Sequence, residues 1–279
     1  MVVSRFPSFV GVAEAGFPIA KEIDDVRPKA ASRAPRVSGR RQAGNPMSAP
    51  EQQGGPRVAT KDYPPARRRQ AKEQLRTRDL AVLAWCAEQY AVRIDQLEVL
   101  LVSGPRTVRR VTVRLREAGL IEVRKLLVGE PAWAIPTSRG LRTTGQGFGL
   151  WRPRVGLLAH VAAINDVRLH VQSRSPRSEW LPERFLAKER RHPKEHLPDG
   201  VVIADGRRVA IEVELTVKSR RRMGQILDEL SGSYDTVLYW CAPGPYRQLS
   251  ELAQSGRWPK LGVRELPHRE LPHSQARTS

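Results

Sequence analysis

His196-Leu-Pro-Asp-Gly-Val-Val-Ile-Ala-Asp-Gly-Arg-Arg-Val-Ala-Ile-Glu-Val-Glu-Leu-Thr-Val-Lys-Ser219 decides how this chain is read. Asp205-Gly206 is the dipeptide favoured in two-residue type I′ turns, and it lies between two apolar runs. With that pair as the loop, Ala204 faces Arg207, and stepping outward sets Asp199 opposite Glu212. Directly opposed residues share a face, with Cβ atoms roughly 4.5–5.5 Å apart. Val209, Ile211, Val213, Leu215 and Val217 alternate with Arg208, Ala210, Glu212, Glu214, Thr216 and Lys218. The pattern predicts a period-two strand with one buried face and one chemically active face.

The active face is awkward. Two carboxylates about 5 Å apart repel by roughly 3 kcal/mol at an effective dielectric near 20. A hard divalent cation removes that objection, because carboxylate oxygens bind Mg²⁺ at about 2.0–2.1 Å and can share it. The competing reading is a solvated polar face with a slipped register or splayed side chains.

The rest of the composition narrows the class. A chain of 279 residues has room for two modest domains plus tails. A formal net charge of +19 points first to nucleic acid and then to an acidic membrane surface. Arginine far outnumbers lysine, which suits phosphate and guanine contacts and equally suits a GC-rich genome. Cys86 and Cys241 stand far apart in apolar runs, which argues against a disulfide scaffold or a zinc site and fits a reducing cytoplasm. No apolar run approaches the roughly 20 residues that span a bilayer, so no membrane role is expected. The opening Met1-Val-Val-Ser-Arg-Phe-Pro carries no signal-peptide core followed by a small-residue cleavage site.

Residues 1–72 are rich in Pro, Gly, Ala and Arg and poor in periodic apolar pattern. They are expected to be a disordered basic region ending at Arg67-Arg68-Arg69. Because the first 46 residues contribute no recognisable element, translation is expected to begin at Met47. The alternative is a basic arm that holds DNA non-specifically, and the intact mass of the native product separates the two.

Residues 73–145 hold the first folded unit. Leu80, Leu83, Ala84, Ala87 and Ala91 recur at helical spacing, predicting a helix over Thr77 to Tyr90. Ile94, Leu97, Leu100 and Leu101 make a second helix. Ser103-Gly-Pro-Arg-Thr opens a third, with Val108, Val111, Leu115 and Ala118 inward and Gly119 as its C′ residue. Arg106, Arg109, Arg110 and Arg114 are spread over the remaining surface. Two short strands follow around a turn at Val128 to Pro131, then a short helix from Thr137. A Gly-rich linker, 146–153, leads into a second domain at 154–266. There the pattern predicts a largely buried helix from Arg154 to about Gln172, whose His160, Asn165 and Asp166 are read as satisfied structural residues. Glu179 to Lys188 is read as a strand, followed by the hairpin, a helix over Arg220 to Leu230, a buried strand Thr236 to Cys241, a helix Tyr246 to Ser255 and a last strand at Gly262. Residues 267–279 are read as a disordered tail.

Three helices followed by a β-hairpin resemble a winged helix-turn-helix domain. That resemblance implies that the third helix enters the major groove of double-stranded DNA, with Arg106, Thr107, Arg109, Arg110 and Arg114 in contact and the hairpin as the wing. An arginine-rich solvated face on a protein-contact domain is the alternative. In the second domain, Pro198-Asp199 on one strand and Glu212-Val-Glu214 on the next resemble the PD-(D/E)XK nuclease-like fold. The chain is therefore expected to be α/β, α+β overall. The family pattern implies that Asp199 and Glu212 hold Mg²⁺. Its lysine position is Glu214, a departure that puts hydrolysis in doubt. Lys218 shares the face but lies roughly 13 Å further along an ideal strand, so it can help only where the strand ends early and the chain turns back.

The combination is more specific than either half. A winged helix, then Leu-Ala-His-Val-Ala-Ala-Ile-Asn-Asp-Val-Arg-Leu, then Pro-Asp and Ile-Glu-Val-Glu-Leu-Thr-Val-Lys-Ser, resembles the replication-relaxation family over roughly Leu75 to Leu266. What this implies is a cytoplasmic DNA-binding accessory of a mobile element, in plasmid replication or mobilisation, with a replication or mobilisation protein as partner. A homodimer is compatible with such a domain, although no heptad seam marks an interface. The alternatives are a Mg²⁺-dependent endonuclease using Asp199, Glu212, Glu214 and Lys218, and a transcriptional regulator that would not need the acid hairpin.

Overall fold

Apolar spacing sets the first helices. The computed structural model describes residues 75–190 and 195–267. The expected arm at 1–72, the start at Met47 and the tail from 268 onward lie outside the described residues. Helix α1 (Thr77–Glu88) buries Val82, Leu83, Trp85 and Cys86, and its first turn is closed by Asp79, whose carboxylate accepts the Arg76 N–H at 3.1 Å. Strand β1 (Val92–Arg93) leads into α2 (Ile94–Leu100). Helix α3 (Pro105–Glu117) starts on a proline, whose missing N–H costs nothing in a first turn. It ends at Gly119 (φ +69°), where the Leu120 N–H reaches the Leu115 carbonyl at 2.9 Å and the Gly119 N–H reaches that of Arg116 at 2.8 Å. Strands β2 (Ile121–Arg124) and β3 (Trp133–Pro136) pair antiparallel, and β1 adds to the other edge of β3. Helix α4 (Ser138–Thr144) follows, capped by the Thr137 hydroxyl, which accepts the Gly140 N–H at 3.0 Å.

Arg114 departs from the expected surface position. Its side chain is 4 % exposed and forks onto Asp79, with Nε to Oδ2 at 2.8 Å and Nη2 to Oδ1 at 2.7 Å. Position 114 follows Val111 by three residues, so it leans over the apolar stripe toward α1 rather than away from it. It belongs to the core of this region and not to the candidate DNA face.

Helix α5 (Val155–Arg174) serves two cores. Leu158, Val161 and Ala162 pack with Ala91, Trp133 and Ile135, while Ile164 and Val167 pack with Trp180, Val202, Ile211, Val213 and Trp240. Polar contacts hold the same seam. Asn165 Nδ2 donates to the Ala91 carbonyl at 3.0 Å, Gln96 Nε2 donates to Asp166 Oδ1 at 2.9 Å, and Arg168 Nη2 donates to Glu88 Oε2 at 2.7 Å. Asn165 and Asp166 are thus satisfied structural residues, as expected.

Beyond α5 one expected element divides in two. The run read as a single strand is β4 (Glu179–Pro182) followed by helix α6 (Glu183–Glu189). Pro182 has no N–H for a continuing ladder, and Glu183-Arg-Phe-Leu-Ala-Lys-Glu is rich in helix formers. The hairpin is β5 (Gly200–Ala204) and β6 (Arg207–Glu214), in the expected register from Ala204↔Arg207 to Gly200↔Ile211. Asp205 (φ +49°) and Gly206 (φ +75°) both take the left-handed conformation of a type I′ turn. Helix α7 (Arg220–Ser233), strand β7 (Thr236–Cys241), helix α8 (Pro243–Gln254) and strand β8 (Leu261–Glu265) complete the chain. The five strands lie in the order β4-β5-β6-β7-β8, antiparallel as far as β6 and parallel from β6 to β8.

Strand β6 is therefore central, and both of its faces are covered, which corrects the one-sided reading. Ile211 and Val213 lie under α5, and Ala210 lies under Met223, Ile226 and Leu227 of α7. The architecture is mixed α and β with two sheets, and residues 75–267 belong to one compact unit. Among the described residues no helix is long and apolar enough to cross a membrane.

Breaking the Arg114–Asp79 pair leaves a buried, uncompensated carboxylate. Arg114→Ala is expected to cost about 3–5 kcal/mol in urea unfolding, and a loss below about 1 kcal/mol would contradict the core assignment.

Candidate functional site

The hairpin ladder stops at Gly200↔Ile211, and the next opposed positions are Asp199 and Glu212. There the Asp199 side chain replaces the strand: Oδ2 accepts the Val213 N–H at 2.7 Å. Its other oxygen, Oδ1, lies 3.0 Å from Nε2 of His160 on α5. Glu212 is 6 % exposed, and its Oε1 lies 2.9 Å from Nε2 of His196. Glu214 is 4 % exposed at the last position of β6. The chain then turns back, so that Lys218 Nζ pairs with Glu214 Oε2 and the Thr216 N–H approaches Oε1 at 3.3 Å. The condition attached to Lys218 is met, since the strand ends at Glu214.

Two further groups border this cluster. Tyr90 donates its hydroxyl to Glu183 Oε2 at 3.0 Å, and a small cavity against Asp199 is lined by Tyr90, Glu183, Gln89, Val161 and Ile164. Tyr90 holds a left-handed backbone (φ +68°), uncommon for an aromatic residue. Beside Glu212, in register on the neighbouring strand β7, lies Tyr239.

The sequence pattern sets Asp199 opposite Glu212 with Glu214 and Lys218 on the same face; in the structure Lys218 pairs with Glu214, while Asp199 and Glu212 meet His160 and His196. Sequence reasoning missed His160, His196, Glu183 and Tyr90. His160 was grouped with the structural polar residues of α5, and its partner lies 39 positions away. His196 stood at the head of the quoted stretch, two residues before the Pro-Asp pair, and that proximity was the available signal. Glu183 was hidden inside a run read as strand. On α3, Arg106, Arg109 and Arg110 are exposed, Thr107 is half-buried, and Arg114 is internal.

Each of the three acids at the open end of the hairpin thus has its own basic partner: His160 for Asp199, His196 for Glu212, Lys218 for Glu214. Such pairing offsets much of the cost of taking carboxylates out of water. Among the described residues no group of three or more His, Cys, Asp or Glu side chains is disposed to hold a metal ion. The carboxylate oxygens of Asp199 and Glu212 are nevertheless donors of the kind that Mg²⁺ takes.

Burial pushes Glu212 up to about 7, with the His196 hydrogen bond opposing the rise and the Asp199 charge adding to it. Burial also raises Glu183, against the Tyr90 hydrogen bond. For His160 and His196 burial pulls downward, but the carboxylate partners prevail and both rings sit above the ordinary histidine value.

Comparison of the chain with protein-family models, curated proteins and solved structures finds no match.

Glu212, His160 and His196 all hold their protons more tightly in the folded chain than in the unfolded one. Their contribution to stability is complete below the unfolded values, 4.5 for Glu212 and 6.5 for the histidines, and fades as pH rises through the folded ones. Urea midpoints are therefore expected to fall from about pH 5.5 to pH 8. That fall should be shallower in Glu212→Gln. An equal slope in both proteins would contradict the assignment.

Proposed function

We propose that this chain is a DNA-binding accessory protein of a mobile element, acting in plasmid-type replication or DNA mobilisation alongside a replication or mobilisation protein, in the manner of the replication-relaxation family. In this reading, residues 73–145 are a winged helix-turn-helix, 146–153 a linker and 154–266 a PD-(D/E)XK nuclease-like domain. The observation that carries it is the division of α3 into two faces. Val108, Val111 and Leu115 are fully buried, while Arg106, Arg109 and Arg110 stand in solvent with nothing apolar to cover. The β2–β3 hairpin beside it carries exposed Arg124 and Lys125 and a fully exposed Val128 near its turn, features suited to a wing. A chain with net charge +19 has the electrostatics for a phosphate backbone.

The Arg109→Ala, Arg110→Ala double variant should bind duplex DNA more weakly. Its log–log salt slope should be smaller by about two units, read by fluorescence anisotropy across a salt series. Salt-insensitive binding by the native chain, or an unchanged slope in the variant, would sink the α3 assignment.

A second reading, a Mg²⁺-dependent endonuclease, is favoured by one observation: the return of Lys218 to the acid cluster. Asp199 and Glu212 would hold the ion once His160 and His196 turned away, and Glu214 would be a further ligand or general base. When bound, Mg²⁺ supplies a lowered water pKa and stabilises charge on a scissile phosphate. The resting pairings favour the accessory reading, because each of these three acids is already partnered. No cleavage of supercoiled, linear or single-stranded DNA is expected with Mg²⁺ or Mn²⁺. Cleavage by the native chain that Asp199→Asn abolishes would establish the second reading instead.

A further inference from the structure

Helix α7 begins Arg220-Arg221-Arg222, three cations in the turn where a helix favours anions. They lie outside the apolar stripe of α7, which is Met223, Ile226, Leu227 and Leu230, and all three are exposed. Arg220 and Arg221 line a groove of about 360 Å³ with Gly224, Asp228, Arg257 and Trp258.

The carboxylates near this groove are already committed. Asp228 accepts the Trp258 indole N–H at 2.8 Å on Oδ1 and meets Arg257 at 3.4 Å on Oδ2. Glu251 is divided between Arg220 at 3.1 Å and Arg247 at 3.6 Å. Among the described residues Arg221 and Arg222 form no ion pair. The guanidinium carbon of Arg257 lies over the Trp258 ring, 4.6 Å from its centroid, a contact that restricts where its fork can point. The groove therefore offers three guanidiniums: Arg220 shared with Glu251, Arg257 shared with Asp228 and stacked on Trp258, and Arg221 with no ion pair among the described residues. Their side chains are well exposed, 76 % for Arg220 and 65 % for Arg257, which suits an extended anionic surface better than a small enclosed anion. The basic turn also adjoins the acid cluster, because the charge of Arg222 acts on His196.

We infer that this groove, built from the first turn of α7 and the Arg257–Trp258 segment, is a second contact surface for the phosphate backbone of duplex DNA. This rests on the reading of the chain as a DNA-binding protein, and adds a contact independent of α3. Guanidiniums on a backbone carry position and not sequence, so the groove raises affinity uniformly and leaves preference to α3.

The test is anisotropy of a labelled duplex with the full chain over a salt series. It compares the native protein, Arg220→Gln with Arg221→Gln, and Arg109→Ala with Arg110→Ala. The groove variant should keep its melting temperature and lose about two units of salt slope equally on every duplex sequence, and Arg220→Lys with Arg221→Lys should restore the slope. Native affinity and slope in the groove variant, with binding lost in the α3 variant, would overturn the groove and leave the α3 reading standing. The reverse pattern would keep the groove and overturn α3. A native chain that binds no duplex would overturn both.

Discussion

Three carboxylates sit at the end of one hairpin, two of them almost wholly out of water, and each must be met by a base. That requirement arranges much of the second half of the chain. An uncompensated buried carboxylate costs several kcal/mol. Asp199 therefore needs α5 close enough to present His160. Glu212 needs the segment before β5 folded over it to deliver His196. Glu214 needs β6 to stop and the chain to turn back, so that Lys218 arrives within four residues. Helix α7 then starts where that turn leaves it, on the Ser219 cap, whose hydroxyl accepts the Arg222 N–H.

Local chemistry was legible wherever it was sufficient. The Asp205-Gly206 turn needs two left-handed residues, and that alone set the register of β5 against β6. The stripe of Val108, Val111 and Leu115 located α3 and its buried face. Thr236 to Cys241, apolar from Val237 onward, is a strand between two others. Contacts that close over distance were not legible. Arg114 looked like its surface neighbours because Asp79, its partner, lies 35 residues earlier. His160 looked structural because nothing near it in the chain is acidic except Asp166, which instead receives Gln96. Glu179 to Lys188 mixes apolar and polar residues in a way that serves a short strand and a short helix equally well, and only Pro182 marks where one ends and the other begins.

The two-sided burial of β6 has the same origin. Period-two alternation reports which side chains share a face, and it predicts one buried face and one chemically active face. Burial of Glu212 and Glu214 depends on α7 and on the returning turn, which no alternation encodes. The departure from pattern falls at the acid cluster, where local preference and global packing disagree, which is where function or stored strain is to be sought.

Helix α5 belongs to the interior of both sheets, with apolar residues committed to each and with Asn165 and Arg168 bonded back to the loop and helix before β1. A helix shared in this way leaves few low-cost partly folded states. Detaching either sheet strips cover from the other and orphans buried amides and a guanidinium. Opening of the two halves is consequently expected to be coupled, with the regions flanking α5 exchanging their amide hydrogens as one cooperative unit rather than as beads on a string.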